Sequence, residues 1–180
     1  MMIGKRVRLR AIHRGDLKRF VRWLNDPDVK RGLANVHPVR CEDEETWFDG
    51  LAQRPEAERA LSIDVHNGDD WQHVGFCHFN DLDWRVRKTE VGIVIGEKPY
   101  WNQGFGEEAM RLMLWHAFDN LNLNRVYLHV FEHNEQAISL YRKLGFSEEG
   151  RLRQDHFFQG TYVDTLVMGM LNEEFQRSVE

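Results

Sequence analysis

Two glycines, Gly104 and Gly106, stand at the start of a long helix candidate and are suited to binding an anion. A glycine pair at a helix N-terminus lets backbone N–H groups approach the oxygens of a phosphate or pyrophosphate, and the helix dipole favours the negative charge. The same pair also fits a tight turn without a ligand. The residues around the turn must therefore decide which ligand, if any, it binds.

A dinucleotide is one candidate, because Gly104, Gly106 and Ala109 satisfy the G-x-G-x-x-A pattern and Glu132 ends the next strand candidate. In that fold the strand runs almost directly into the first glycine. Here the eight residues 96–103 separate Ile95 from Gly104. This spacing argues against NAD binding.

A zinc site is a second candidate, because "HVFEH" at 129–133 matches the pattern H-x-x-E-H. Both histidines must share one helical face to bind a single metal. The preceding residues are strand-like, and a strand would place His129 and His133 roughly 13 Å apart at ~3.3 Å per residue. The segment is therefore interpreted as a polar strand end, and no metal is expected.

The composition sets the frame for these motifs. The chain has 180 residues, of which 42% are hydrophobic, with 11 Phe and 6 Trp, so a single domain over residues 1–180 is expected. The formal charge of −5 comes from 24 basic and 29 acidic residues without a sustained basic stripe. A nucleic-acid partner is therefore disfavoured.

The cysteines and the apolar runs indicate a compartment. Cys41 and Cys77 lie far apart in sequence, and the first residues contain no apolar run typical of a signal peptide. No stretch approaches the ~18 uninterrupted apolar residues of a membrane span. We expect a cytoplasmic protein that does not interact with a membrane.

Strand and helix patterns alternate along the chain and predict a mixed α/β domain. Helices are predicted at 16–26, 43–54, 106–121 and 134–145. Strands are predicted at 5–12, at 59–82 as a pair around Asn67-Gly68-Asp69, at 89–96, at 124–131, and at 146–171 as a pair joined through Gly160.

The segment "TEVGIVIGEKPYWNQGFGEEAM" followed by "NEQAISLYRKLGF" resembles the GNAT superfamily of acetyl-CoA-dependent N-acyltransferases. The branch it resembles acetylates ribosomal-protein N-termini and polyamines. The resemblance also covers "RLRAIHRGDLKRFVRWLNDPDV" and "GFSEEGRLRQDHFFQGTYVDTLVM", and thus nearly the whole chain. It implies a central, mostly antiparallel sheet with a splayed strand pair, flanked by helices, and acetyl-CoA as cosubstrate without a metal.

The resemblance assigns cofactor contacts to two segments. Backbone groups near Ile93, Val94 and Ile95 would meet the amide-bearing arm of coenzyme A where the strand bulges, although a plain buried strand explains the same composition. The loop that turns into the helix would bind the pyrophosphate. Its residues are Trp101, Asn102, Gln103, Gly104, Phe105 and Gly106. Glu107 departs from the Thr or Ser usual in the family and would repel the phosphates unless it points outward.

Asn134, Ala137, Ile138 and Tyr141 share one face of the predicted helix 134–145. The resemblance implies that Asn134 contacts the cofactor arm and that Tyr141 protonates the departing thiolate. Asn134 also fits a plain N-cap, and Tyr141 a plain core residue. Gly145 is predicted to end the helix in a left-handed conformation.

Acetyl transfer needs a neutral amine, so a nearby carboxylate would help to remove the ammonium proton, directly or through water. Histone-acetylating relatives have their base at the start of the splayed strand, where this chain has Glu90. Two alternatives stay open: Glu90 is a plain surface glutamate, or a water chain alone removes the proton. The resemblance thus predicts Glu90 and Tyr141 as the catalytic residues.

The acceptor is expected to be a small amine or a peptide N-terminus, chosen by the first helices and the final hairpin. Phe157 and Phe158 of that hairpin fit two interpretations, which both stay open: they line an acceptor groove, or they pack in the interface of a homodimer. A non-catalytic acyl-CoA-binding module or partner protein is the alternative function. Four acidic residues are candidates for attracting a cationic acceptor: Asp26, Asp28, Asp43 and Glu44.

Overall fold

The computed structural model describes residues 1–34, 37–68 and 70–179, with side chains up to residue 176. By backbone contacts the chain forms two compact units. The first holds residues 1–80 and 92–113, and the second holds residues 81–91 and those from 114 onward. The prediction of a single domain over 1–180 stays a prediction.

The elements follow one another in an order close to the predicted one. They are β1 (Met2–Ile3), β2 (Val7–Ala11), α1 (Leu17–Asn25), α2 (Pro27–Lys30), α3 (Cys41–Leu51), β3 (Leu61–His66), β4 (Trp71–Asp83), β5 (Lys88–Ile95), α4 (Phe105–Trp115), β6 (Arg125–Phe131), α5 (Glu135–Leu144), β7 (Ser147–Phe158), β8 (Thr161–Leu171) and α6 (Asn172–Val179). A π-helical turn, His116–Asn120, extends α4.

In the first unit the strand order is β1-β2-β3-β4, with antiparallel neighbours. Val7 and Leu9 of β2 are fully buried, while Arg8 and Arg10 lie on the opposite face, as the alternation predicts. The second half of β5 belongs to the same unit and approaches β4 closely. A Cβ added to Gly75 would lie 2.1 Å from the carbonyl oxygen of Val94, so no side chain fits there.

The core of the first unit is aromatic. Phe20 and Trp23 of α1 are almost fully buried and pack with Val94 in one cluster, against which Trp47 and Trp101 lie half-buried. The backbone of Gly96 lies under the Trp23 ring, because a Cβ at residue 96 would stand 2.1 Å from that ring. The cluster therefore fixes the end of β5 from which the glycine turn departs.

A buried ionic network lies beside this cluster. Asp16 accepts hydrogen bonds from both Nη1 and Nη2 of Arg10, at 2.7 and 3.0 Å, and from the Ser62 hydroxyl at 3.0 Å. Its third neighbour is His73, whose Nδ1 lies 3.2 Å from Oδ1. Burial alone would raise the pKa of Asp16, but the contacts with His73 and Arg10 outweigh it and hold the pKa well below its usual range. The sequence predicts Asp16 only as the start of α1.

In the second unit the strand order is β5-β6-β8-β7. β5 and β6 are parallel, with Lys88 beside Arg125 and Glu90 beside Tyr127. β6 pairs with β8 along its whole length, and β7 and β8 form the predicted hairpin through Gly160, whose φ is +86°. The unit thus adds a parallel pair to an otherwise antiparallel arrangement, which makes the sheet mixed.

The predicted end of α5 is confirmed. Gly145 ends α5 with φ of +100°, the left-handed conformation that glycine tolerates.

Three elements were not predicted, β1, α2 and α6, and the turn residue Asp69 lies outside the described residues. Cys41 is exposed and Cys77 is buried, and neither is in a disulfide. None of the described helices is both long enough and apolar enough to cross a membrane.

Candidate active site

The glycine turn has the backbone geometry of an anion-binding loop. Asn102 and Gly104 both adopt left-handed conformations, with φ of +60° and +82°, and α4 begins immediately afterwards at Phe105. The first α-helical hydrogen bond runs from Glu108 N–H to the Gly104 carbonyl at 3.0 Å. The N–H groups of Phe105 and Gly106 therefore precede the helical ladder, where a phosphate can accept from them. This geometry fits a pyrophosphate.

Trp101 connects this turn to β5. Its indole Nε1 donates to the carbonyl of Ile95 at 2.7 Å, and its backbone N–H donates to the carbonyl of Lys98 at 3.0 Å. The ring packs against the aromatic core of the first unit. Both N–H groups of Trp101 are thus engaged within the protein, so the residue positions the turn, and its predicted contact with a cofactor stays a prediction.

Gln103 is held in a similar way. Its side-chain amide donates to the carbonyl of Pro99, and its own carbonyl accepts from Nη1 of Arg6 at 3.2 Å. The backbone N–H of Gln103 remains the group predicted to face the phosphates, together with that of Asn102. The carbonyl of Gln103 is therefore already engaged by a protein group.

Arg6 is a residue that sequence reasoning missed. Besides Gln103, its guanidinium lies 4.7 Å from the centroid of the Phe105 ring, and a Cβ at Gly104 would come within 3.2 Å of Nη2. The Arg6 guanidinium therefore lies directly beside the glycine turn, where its Nε also pairs with the Glu108 carboxylate at 3.3 Å. The alternation of β2 showed that Arg6 is on the polar face of the strand, but no local pattern could indicate a partner 97 residues away.

The two carboxylates in the first turn of α4 are both engaged. Glu107 pairs with Arg111 at 3.2 Å, one helical turn further along. Glu108 accepts the backbone N–H groups of Arg6 and Val7, at 2.6 and 3.1 Å. The cationic partner offsets the charge of Glu107, so the repulsion expected from this departure from the family pattern is reduced.

The backbone of the predicted cofactor strand is held at its C-terminal end. The N–H groups of Gly96 and Glu97 both donate to the carbonyl of Val74, at 2.8 and 3.1 Å. Val94 is buried in the core, while Ile93 and Ile95 are half-buried. The Ile95 carbonyl already accepts a hydrogen bond from Trp101. The prediction that Ile93, Val94 and Ile95 contact the cofactor arm therefore concerns the remaining backbone N–H and carbonyl groups of these three residues.

Glu90, Asn134 and Tyr141 belong to the second unit, and Glu90 has a partner that was not predicted. Its Oε1 lies 2.6 Å from Nδ1 of His129 on β6. Glu90 stands opposite Tyr127 in the parallel register, so His129, two residues further, is on the same face. The H-x-x-E-H motif had drawn attention to His129, but as a zinc ligand and not as a partner of Glu90.

Charges of both signs lie around Tyr127. Burial, followed by the charges of Asp81 and Glu90, raises the pKa of Tyr127, and the charge of Arg125 opposes this. The guanidinium of Arg125 and the ammonium of Lys88 lie 5.5 and 5.9 Å from the centroid of the Tyr127 ring. The rings of Tyr127 and His129 meet edge to face, with centroids 5.9 Å apart.

Tyr141 is buried on the inner face of α5, together with Ile138 and Leu144, and its ring meets Phe146 edge to face at 5.8 Å. Burial raises the pKa of Tyr141 to about 12. The phenol therefore keeps its proton at neutral pH and has it available to donate.

Asn134 is an N-cap of α5, since its Oδ1 accepts from the N–H of Ala137 at 3.2 Å. The contact of Asn134 with the cofactor stays a prediction, and it concerns the polar groups of Asn134 other than Oδ1.

The residues of the rejected motifs have other partners. Glu132 binds Arg151 at 2.9 Å and the N–H of Asp164 at 2.9 Å, and His133 stacks on Phe158 with centroids 4.5 Å apart. His129 lies in a strand and not in a helix, as the preceding residues indicated. Across residues 1–34, 37–68 and 70–176, no group of three His, Cys, Asp or Glu side chains is arranged to hold a metal ion.

The sequence of this chain matches the model of a known protein family. Residues 6–147 match the acetyltransferase (GNAT) domain, a stretch that includes Arg6, the glycine turn, Glu90, His129 and Tyr141.

The relatives extend the match to almost the whole chain. The chain is 29% identical over 181 residues to the spermidine N(1)-acetyltransferase of Vibrio cholerae, covering 96% of this chain and 97% of the relative. It is 28% identical over 169 residues to the spermidine N(1)-acetyltransferase of Escherichia coli, covering 94% and 88%. A solved structure of the Vibrio cholerae spermidine N-acetyltransferase, in complex with CoA and spermine, is similar with a TM-score of 0.85, 26% identity, and coverage of 96% and 99%.

These matches give the chain a known chemistry, the transfer of acetyl from acetyl-CoA to an amine. The chain belongs to the GNAT family of N-acetyltransferases.

Proposed function

We propose that this protein acetylates a small polyamine by direct attack of a primary amine on acetyl-CoA in a ternary complex. The observation that carries the choice of acceptor is the similarity over nearly the whole chain to two spermidine acetyltransferases. Glu90 contributes a negative charge on β5, but Lys88 and Arg125 lie over the neighbouring Tyr127 ring, so the choice of a polyamine rests on this similarity.

The acidic residues expected to attract a cation do not support this choice. Asp26 and Asp28 both bind Lys98, at 2.9 Å each, and Asp43 binds Arg40 at 2.8 Å. Three of the four candidate carboxylates thus have a cationic partner that offsets their charge. The pKa of the fourth, Glu44, is raised by burial and by Asp43. None of these four residues therefore supports the choice of a polyamine.

Three predicted parts of the site have a role in the proposed reaction: the turn, Glu90 and Tyr141. The turn 102–106 holds the pyrophosphate on its N–H groups, with Arg6, which is paired with Glu108, beside it. Glu90 supplies the negative charge that favours removal of the amine proton. Tyr141 protonates the sulfur as the C–S bond breaks.

The test is the release of free thiol from acetyl-CoA with spermidine, spermine, putrescine, peptides with free N-termini and aminoglycosides as acceptors. We expect kcat/KM for spermidine or spermine to exceed that for the peptides by at least tenfold. A preference for the peptides would assign the protein to N-terminal acetylation. Binding of acetyl-CoA by calorimetry without turnover on any acceptor would indicate an acyl-CoA-binding module. A homodimer and a cytoplasmic location remain predictions.

A further inference from the structure

We infer that His129 is the group that takes the proton from the acceptor amine, and that Glu90 is a positioning residue that acts through it. The inference rests on the proposed function, because it names the base of that reaction. Its starting point is the 2.6 Å contact between His129 Nδ1 and Glu90 Oε1.

The direction of this hydrogen bond determines which atom is the base. An ionised carboxylate only accepts hydrogen bonds, so Nδ1 of His129 must carry the hydrogen and donate it. In the neutral imidazole the second nitrogen, Nε2, then has the free electron pair. The contact therefore makes Nε2 the acceptor for a substrate proton, and the carboxylate stabilises the imidazolium that forms.

Accessibility also favours His129. The His129 side chain is 40% exposed, while that of Glu90 is 23% exposed and has one oxygen engaged with the imidazole. The Tyr127 ring meets the imidazole edge to face and restricts its orientation. A substrate ammonium would thus meet the imidazole on the exposed side of the pair.

The proposed steps balance in atoms and charge. His129 Nε2 takes one proton from the ammonium, and the neutral amine forms a C–N bond as the thioester carbonyl pair moves to oxygen. The carbonyl re-forms, the C–S bond breaks, and sulfur takes the Tyr141 proton. The nitrogen loses its second proton through water to the Tyr141 phenolate, and His129 releases its proton to solvent. The products are the acetamide, free thiol and one proton.

Three variants test the inference with the best polyamine acceptor of the panel. H129A removes the base, and we expect kcat to fall by roughly 10² to 10⁴-fold with an unchanged affinity for acetyl-CoA. Added imidazole should raise the kcat of H129A at least tenfold, because it can occupy the vacated space.

H129N keeps an amide donor near Oε1 of Glu90 but has no free ring nitrogen, so its kcat should fall as far as that of H129A. H66A is the matched control, since His66 also meets an aromatic ring, Trp71, at 5.1 Å, and lies on β3; its kcat should equal that of the wild type.

Three results would overturn the inference: full kcat in H129A, full kcat in H129N, or a loss in H129A that imidazole does not reduce. In the second case His129 would only hold Glu90, and Glu90 would be the base. The wild-type rates on the acceptor panel judge the proposed function, and the ratios of the variants to the wild type judge the role of His129. The two can therefore fail separately.

Discussion

The indole of Trp101 donates its Nε1 hydrogen to the carbonyl oxygen of Ile95 at 2.7 Å, and so joins the end of β5 to the first residue of the glycine turn. The strand and the turn are both predicted to contact coenzyme A. Their mutual orientation within the first unit thus depends on one side chain, which gives the first prediction.

Trp101→Phe keeps an aromatic ring in the core and removes the donor. The Ile95 carbonyl loses its partner, at a cost of about 1 kcal/mol, and the turn is less well oriented. We expect the Kd for acetyl-CoA to rise several-fold while kcat at saturating acetyl-CoA changes little. Calorimetry and steady-state rates decide this. Trp115→Phe, at an exposed position on α4, is the control and should leave the Kd unchanged. An unaltered Kd in Trp101→Phe would limit Trp101 to core packing.

Gly106 lies in the first turn of α4, where backbone is predicted to meet pyrophosphate. Gly106→Ala should stabilise the helix by up to about 1 kcal/mol, because alanine has a higher helix propensity. The same Cβ should weaken acetyl-CoA binding at least tenfold, and Gly106→Val should weaken it further. Thermal unfolding and calorimetry measure the two effects separately. If both variants bind acetyl-CoA as the wild type does, the turn does not hold the phosphates.

Replacing Glu90 by Gln removes the negative charge and keeps an oxygen near His129. Turnover should fall most at neutral pH and recover partly as the pH rises, because an amine with a pKa near 10 then loses its proton without help. The measurement is kcat against pH for a polyamine acceptor. Glu56→Gln, at an exposed position, is the control. A profile parallel to that of the wild type would assign Glu90 to structure.

Tyr141→Phe removes one hydroxyl and retains the ring that packs against Phe146. Acetyl-CoA affinity should therefore remain, while kcat falls by roughly 10² to 10⁴-fold when chemistry limits the rate. A smaller loss is expected for thioesters with a better leaving thiolate, since such a sulfur needs less protonation. Full kcat with a poor leaving group would show that the tyrosine is a core residue only.

Asp16 should make stability depend on pH. Its pKa is lowered in the folded state, so its contribution is present above its unfolded pKa near 3.9 and is lost as the pH falls toward the folded value. Asp16→Asn breaks a buried ion network and should lower the free energy of unfolding by about 3 kcal/mol at pH 7. The difference from the wild type should narrow at pH 3. Urea denaturation at both values measures it, and an equal difference at pH 7 and pH 3 would contradict the assignment.

The sequence predicted elements better than partnerships. Alternation in β2 and helical spacing in α5 identified which side of each element is buried, because burial follows the period of the backbone. Asp16 was predicted as a helix start, a local role, and its network with Arg10 and His73 was not foreseen. The family resemblance named Glu90, but the residue it contacts lies 39 positions away. Periodicity shows the face on which a side chain lies and not what stands opposite.

The same limit applies to Trp101 and Arg6. Composition gives no reason why one tryptophan of six should hold a strand carbonyl, or why one arginine on a polar face should lie against a glycine turn. Both contacts depend on how the elements of the first unit pack. The missed helix α6 has a different cause, because it begins at Asn172 directly after β8 ends at Leu171, and no Gly or Pro marks the boundary between them.

The contacts of Arg6 make the amino-terminal strand a reporter for the glycine turn. Trypsin can cut after Arg6 only when this side chain leaves Gln103 and Phe105 and its backbone leaves Glu108. Occupation of the turn by a phosphate-bearing ligand would order the same residues and lower the population of that opened state. The rate of tryptic cleavage at this one bond would then report ligand occupancy without any label. The same dependence makes the amino terminus a poor place for a bulky fusion partner.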